Sequence, residues 1–267
     1  MPRPSASNSE LYKFHRTRLH LATPHPLKRE SIRALRNLAA HRTPRVPPWP
    51  RAQSAAVLVA LFVGRHGDLY VLLSRRAATL RTYAGDTALP GGKVDPQDRT
   101  IEDTARREAF EEIGLPRDKH KVPLLCVLEP FLAGNQLLVT PVVVLILDNT
   151  LRPILNTPEV HTLFSHPLSA FLAADFPALA PSDAPSGEAE MAALELQYHT
   201  YSDVPWPWQP RTFSAEASGS SASPAASPRP VDQCVRMHRF LTGREAGGIK
   251  PIFGLTAYAC LGALPVD

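Results

Sequence analysis

The stretch RREAFEEIGL, residues 106–115, places Glu108, Glu111 and Glu112 close together in a segment with helical spacing. On a helix that turns about 100° per residue, Glu108 and Glu112 fall within roughly 20° of Ile101. They therefore continue the stripe of Ile101, Ala105 and Ala109 that faces the protein, with Glu111 at its edge. An isolated glutamate pair on a helix is ordinarily solvated surface. Here, two carboxylates one turn apart repel each other, and their inward position makes the repulsion worse by desolvation. Arg107 has the spacing to pair with Glu111 but points away from the Glu108–Glu112 line. A hard divalent cation would relieve the pair: Mg²⁺ takes a few carboxylate oxygens, retains waters and bridges protein carboxylates to substrate phosphates. Just upstream, LPGGKVDPQD supplies Gly91 and Gly92, a backbone able to turn sharply and approach a ligand closely.

The elements that must position these groups follow from the pattern of apolar residues. AAVLVALFV and LYVLLSRR, separated by GRHGD, read as a β-hairpin starting at Ser54. After a loop comes the acidic helix, taken as residues 100–114. KVPLLCVLEPFLAGNQLLVTPVVVLIL reads as two or more strands with a turn at AGN. NTPEVHTLFSHPLSAFLAA opens with helix-start residues yet also reads as strand, LELQYHTYSDV and CVRMHRFLTG as neighbouring strands, and GLTAYACLGAL as a short apolar helix. This order predicts an α/β fold, a mixed β-sheet sandwiched between helices.

The 267 residues suit one domain with extensions. Residues 1–51 form a basic N-terminal extension with a short helix in SIRALRNLAAHR and a proline-rich linker. The main domain spans 52–262 with a low-complexity Ser/Ala/Pro-rich insertion at about 210–231, expected to be disordered, and 263–267 form a tail. The formal charge of +4 hides an asymmetry: residues 1–51 hold eleven Lys/Arg against Glu10 and Glu30, a net of +9, leaving −5 on the rest. Basic charge confined to one end fits a leader or tether, whereas a nucleic-acid enzyme spreads it over a working face, so no nucleic-acid partner is expected. Cys126, Cys234 and Cys260 show no pairing or zinc spacing, which points to a reducing compartment. The longest apolar runs are about half of what crosses a bilayer, so no transmembrane segment is expected.

The acidic helix with its glycine pair resembles the Nudix hydrolases, which share the pattern G-x5-E-x7-R-E-U-x-E-E-x-G-U with U a bulky aliphatic residue. Arg107, Glu108, Glu111, Glu112, Gly114 and Leu115 match its second half, with Ala109 a small occupant of the first U position. The first half departs: Asp98 stands where a glutamate is expected, and eight residues rather than seven separate it from Arg107. That departure is similar to the coenzyme A diphosphatase branch, which carries GGKxDxxD here. LLSRRAATLRTYAGDTALPGGK, EVHTLFSHPL and FGLTAYACL also resemble segments of that branch, fungal peroxisomal versions in particular.

The resemblance, which covers roughly residues 52–262, implies a Nudix fold. It also implies metal-dependent hydrolysis of the diphosphate bond of coenzyme A or its derivatives, giving 3',5'-ADP and 4'-phosphopantetheine or its acyl or oxidised form. Mg²⁺ or Mn²⁺ would be the cofactor. Glu108, Glu112 and Glu111 are the implied ligands, and together with Arg107 they form the implied catalytic set. Substrate contacts are expected from Arg75, Arg81, Gly91, Gly92 and Lys93, since arginine suits phosphate recognition. For Arg76 a solvated strand end is the preferred reading. Such enzymes often take a further base or ligand from a distant loop, with Glu159, Glu188, Glu190 and Glu195 as candidates.

Two alternatives stand beside this reading: hydrolysis of another nucleoside diphosphate derivative, such as ADP-ribose or a damaged nucleotide, and a silent Nudix-fold binding module. For location, RLHLATPHP nearly matches the peroxisomal signal R-L-x5-H-L but has Pro26 at its last position, and PVD is no peroxisomal tripeptide. A peroxisome with an import receptor for the leader is the expectation, with mitochondrion or cytoplasm as alternatives.

Overall fold

A computed structural model of the chain describes residues 11–12, 25–43, 49–133, 136–148, 150–172, 199–205, 234–242 and 250–263. The low-complexity insertion, most of the basic leader, and Glu188, Glu190 and Glu195 lie outside these residues.

The centre of the fold is β1 (Ser54–Val63), an apolar strand buried along nearly its whole length. It forms the expected hairpin with β2 (Leu69–Arg76), Leu61 opposite Val71. On its other edge it runs parallel to β7 (Leu138–Ile146), from Ser54 opposite Leu138 to Phe62 opposite Ile146. A parallel pair needs a crossover, and the chain between the two strands contains helix α2 (Ile101–Ile113). β5 (Leu124–Val127) and β6 (Phe131–Leu132) pair with β7, β8 (Val160–Pro167) and β3 (Thr87–Ala88) with β2, and β4 (Gly91–Lys93) with β1. A second sheet joins β9 (His199–Pro205), β10 (Cys234–Thr242) and β11 (Lys250–Phe253), all antiparallel.

Alternation along β1 divides the core into two layers. Ala56, Leu58 and Ala60 face Ile101, Ala105, Ala109 and Ile113 of α2. Val57, Val59 and Leu61 share the opposite layer with Ala34, Leu35 and Leu38 of α1 (Arg29–Ala40) and with Ala257, Ala259 and Cys260 of α3 (Gly254–Gly262). Helices thus cover both faces of a mixed sheet, as the sequence predicts. The alanines of α2 share this layer with Ala56 and Ala60, small side chains that let helix and strand approach closely.

Three expectations are corrected. Gly91 and Gly92 lie on a strand rather than in a turn, pairing with Val57 and Ala56. The segment after Asn156 that also read as a helix start is strand β8, followed by a 3₁₀ turn at Leu168–Leu172. Its alternating burial and its pairing with β2 overrode the helix-start residues. The loop after β2 contains the short strand β3.

Candidate active site

Helix α2 is held at both ends. Thr100 caps its N-terminus: the Asp103 N–H donates to Thr100 Oγ1 at 3.1 Å and the Thr100 N–H to Asp103 Oδ2 at 3.2 Å. This reciprocal cap satisfies two otherwise unpaired N–H groups. Gly114 ends the helix at φ 67°, where a side chain would also meet the Ile154 backbone. The following loop then closes on the helix: the Asn156 N–H donates to the Glu112 carbonyl at 2.9 Å and the Ile154 N–H to that of Ile113 at 3.0 Å. This brings Glu159, at the entrance to β8, toward the C-terminal turn that carries Glu112.

The helix meets β4 at the glycine pair. A Cβ on Gly91 would collide with the Ala56 carbonyl and Val57, and one on Gly92 would fall on the Glu108 carboxylate. Both positions therefore exclude side chains through close approach. The Gly91 backbone also hydrogen-bonds the Glu112 carboxylate.

The three glutamates sit in different surroundings. Glu112 is only 7% exposed; burial and then the charge of Glu108 push its pKa up to about 8, against the opposing effects of Arg76 and the Gly91 N–H. Burial likewise raises Glu108, and Arg107 partly offsets it. The Glu111 side chain is 48% exposed and lies beside Arg107 and Arg117, at 3.2 and 3.7 Å. The structure thus brings Glu108 and Glu112 together at the sheet and turns Glu111 outward. Among the described residues, no three His, Cys, Asp or Glu side chains converge as a metal cluster.

Arg107 reaches further than its helical position implies. Its Nε and Nη2 donate to Asp98 Oδ1 and Oδ2 at 3.1 and 3.0 Å, Nη2 to the Lys93 carbonyl at 3.0 Å, and Nη1 to Glu108 Oε1 at 2.9 Å. The expectation that it points away from the Glu108–Glu112 line is corrected, because a long flexible stem lets the guanidinium fold back over the neighbouring turn. Asp98 also accepts from the Asp95 N–H at 2.9 Å and Thr104 Oγ1 at 2.8 Å. Burial opposes its ionisation, but Arg107 and these donors outweigh it and hold the carboxyl below the usual carboxylate range.

Asp98 thus fixes the arginine that holds Glu108. Its position within GGKVDPQD was visible in the sequence, but its function was not. The remaining expected contacts are dispersed. Arg81 and Lys93 are exposed, and Arg75 donates from Nε to the Gly85 carbonyl at 3.1 Å.

The donor chemistry fits a hard cation: two carboxylates one helical turn apart, both with pKa values raised by burial, gain most from positive charge placed between them. Glu108 and Glu112 would hold such an ion, and water or substrate would complete its shell. The class defined by this arrangement is an α/β protein with a carboxylate helix set against a glycine strand.

The NUDIX domain model matches residues 52–186, and the chain belongs to the Nudix family. It is similar to Nudix hydrolase 15, mitochondrial, of Arabidopsis thaliana, 45% identical over 123 residues, covering 46% of this chain and 42% of that protein. Peroxisomal coenzyme A diphosphatase 1 of Saccharomyces cerevisiae is 51% identical over 80 residues, 29% of this chain and 24% of that protein. The mouse peroxisomal coenzyme A diphosphatase NUDT7 is 41% identical over 117 residues, 44% and 48% of the two chains. The matched segments make up less than half of each relative. Among solved structures, a Nudix hydrolase from M. smegmatis, RenU, aligns at 25% identity and TM-score 0.38 over 46% of this chain and 76% of that one. Nudix hydrolases use divalent metal ions. No helix among the described residues is long and apolar enough to cross a membrane.

Proposed function

We propose that this chain hydrolyses the diphosphate bond of coenzyme A or its derivatives, releasing 3',5'-ADP and 4'-phosphopantetheine or its modified form. The observation that carries the reading is the pair of half-buried Glu108 and buried Glu112 set against Gly91 and Gly92. It is supported by the identity to two coenzyme A diphosphatases. The catalytic unit would span residues 52–262.

Glu108 and Glu112 would hold Mg²⁺ or Mn²⁺; when bound, such an ion neutralises the diphosphate and lowers the pKa of a coordinated water. Arg107, anchored on Asp98, holds Glu108 in place. Gly92 leaves the space in front of that carboxylate free. The exposed Arg81 and Lys93 would supply charge for the 3'-phosphate. Hydrolysis adds water oxygen to one phosphorus and breaks its bond to the bridging oxygen, whose electron pair leaves with the other phosphoryl group.

Initial rates on equal concentrations of coenzyme A, ADP-ribose and oxidised nucleoside triphosphates, in Mg²⁺ and in Mn²⁺, test the substrate. Coenzyme A is expected to lead; a strong preference for ADP-ribose would overturn the assignment. A peroxisomal address follows the yeast and mouse relatives, and a fluorescent fusion of the full chain, with and without residues 1–27, tests both it and the leader's role.

A further inference from the structure

Arg51 lies one residue outside the family match, yet its side chain reaches the loop that carries Asp98. It opens the 3₁₀ turn Arg51–Gln53 that leads into β1. The Gln53 N–H and Ser54 Oγ donate to the Pro50 carbonyl at 2.9 and 3.1 Å, and the Trp49 indole N–H donates to the Gln53 carbonyl at 3.2 Å, so the turn is well fixed. Beside it the chain leaves β4, and the Val94 N–H donates to the Ser54 carbonyl at 3.0 Å.

Residues 95–98 then form a turn of their own. The Asp98 N–H donates to the Asp95 carbonyl at 3.0 Å, the Asp95 N–H to Asp98 Oδ2 at 2.9 Å, and the Gln97 N–H to Asp95 Oδ1 at 2.8 Å. These bonds give the turn its shape but do not anchor it. Thr104 and Arg107 tie the Asp98 carboxylate to α2. From the start of β1, Arg51 Nη2 donates to the Asp98 carbonyl at 2.6 Å and to the Asp95 carbonyl at 3.3 Å. A charged donor makes a stronger bond than a neutral one, and this charge also sits beside two aspartates four residues apart. Arg51 thus holds the backbone of the residue whose side chain, through Arg107, fixes Glu108.

We propose that Arg51 is a positioning residue for the carboxylate site: it clamps the 95–98 turn and acts on Glu108 through Asp98 and Arg107. The proposal rests on reading Glu108 as part of a diphosphate-hydrolysing site, but not on the identity of the nucleotide.

The test uses the full chain with Arg51→Met, Arg51→Lys, Asp98→Asn and the double variant Arg51→Met/Asp98→Asn. Hydrogen exchange of a peptide spanning 94–98 is measured without metal or substrate. Rates on coenzyme A and ADP-ribose are normalised to folded protein. Arg51→Met is expected to speed exchange in the turn and to lower kcat by about tenfold with KM within about threefold, because it misplaces a site group without removing a substrate contact. Arg51→Lys keeps the charge without the planar fork and should recover part of the loss; it also carries the test should Arg51→Met fail to fold. The double variant should be within about twofold of Asp98→Asn alone, since residues acting in one chain are not additive. Unchanged exchange in Arg51→Met, faster exchange with kcat unchanged, or a double variant whose loss is the product of the two single losses would overturn the proposal. A wild type that cleaves ADP-ribose but not coenzyme A would end the substrate assignment alone, since the Arg51 effect is then read on ADP-ribose.

Discussion

Arg107 ties Asp98 to Glu108: two of its nitrogens bond the two Asp98 oxygens at 3.1 and 3.0 Å, and the third lies 2.9 Å from Glu108 Oε1. Asp98 is itself fixed by Thr104 of α2 and by the Asp95 N–H. A loop carboxylate therefore sets the position of a helix carboxylate through a bidentate guanidinium, a geometry that lysine cannot reproduce.

Asp98→Asn should free Arg107 without removing a proposed ligand. Misplacing a positioned group costs on the order of tenfold to a hundredfold in kcat, and Arg107→Lys should fall in the same range. Steady-state rates with Mn²⁺ affinity measured in parallel check this. Activity within twofold of wild type in Asp98→Asn would mean that Glu108 needs no such support.

Gly92→Ala should remove activity while the protein stays folded, because the added Cβ would occupy the space of the Glu108 carboxylate, a side chain that can move aside. Gly91→Ala should mainly lower stability, because its Cβ would meet the Ala56 carbonyl and Val57 backbone, which cannot move without separating β4 from β1. Thermal melts and activity of the two variants separate these outcomes. Overpacking of this kind costs about 1–3 kcal/mol.

Parts of this arrangement were legible in the sequence. The small-residue stripe Ile101–Ala105–Ala109 announces a helix laid close on a strand, and Glu108 and Glu112 sit on it at one-turn spacing. The unbroken apolar run of β1 announces a strand covered on both faces. Arg107 was misread for a physical reason. Helical angle locates a Cβ, whereas a long flexible side chain decides where the charge finally lies. Glu111 shares the motif with its neighbours, yet rotation by one residue turned it to solvent. The glycine pair read as a turn because glycine's freedom is the usual reason to find it. Its use here, backbone approach between Ala56 and Glu108, depends on a partner strand some thirty residues earlier.

Glu112 makes stability depend on pH. Its pKa rises from the ordinary 4.5 to about 8 on folding, so between those values the folded chain holds a proton that the unfolded chain releases. Stability of the metal-free protein should therefore fall as pH rises across this window, by on the order of a few kcal/mol. Melting temperatures in chelator at pH 5 and pH 8 test it, and Glu112→Gln should flatten the difference. Saturating Mn²⁺ should restore stability at pH 8, because a cation favours the ionised carboxylates. A chelated wild type more stable at pH 8 than at pH 5, with Glu112→Gln unchanged in slope, would contradict the burial of this group.

A last contrast separates charge that serves the site from charge that serves the fold. Arg106 and Glu102 form an ion pair at 2.7 Å with both side chains 3% exposed. Arg106 also donates to the Val122 carbonyl at 2.8 Å, and Lys119 lies 3.0 Å from Glu102. The pair stands next in sequence to the motif arginine, but its partners lie in the segment leading to β5, away from Glu108. Removing one partner leaves a buried charge, so Glu102→Gln should destabilise by about 3 kcal/mol, with the kcat of the folded fraction within twofold of wild type. The double variant Glu102→Leu/Arg106→Met should recover most of that stability, since replacing both members of a buried pair with apolar groups is often neutral or better. Denaturant unfolding of the single and double variants, with rates normalised to folded protein, provides the check. Loss of kcat in the stable double variant would show that this pair, and not only Arg107 and Asp98, shapes the carboxylate site.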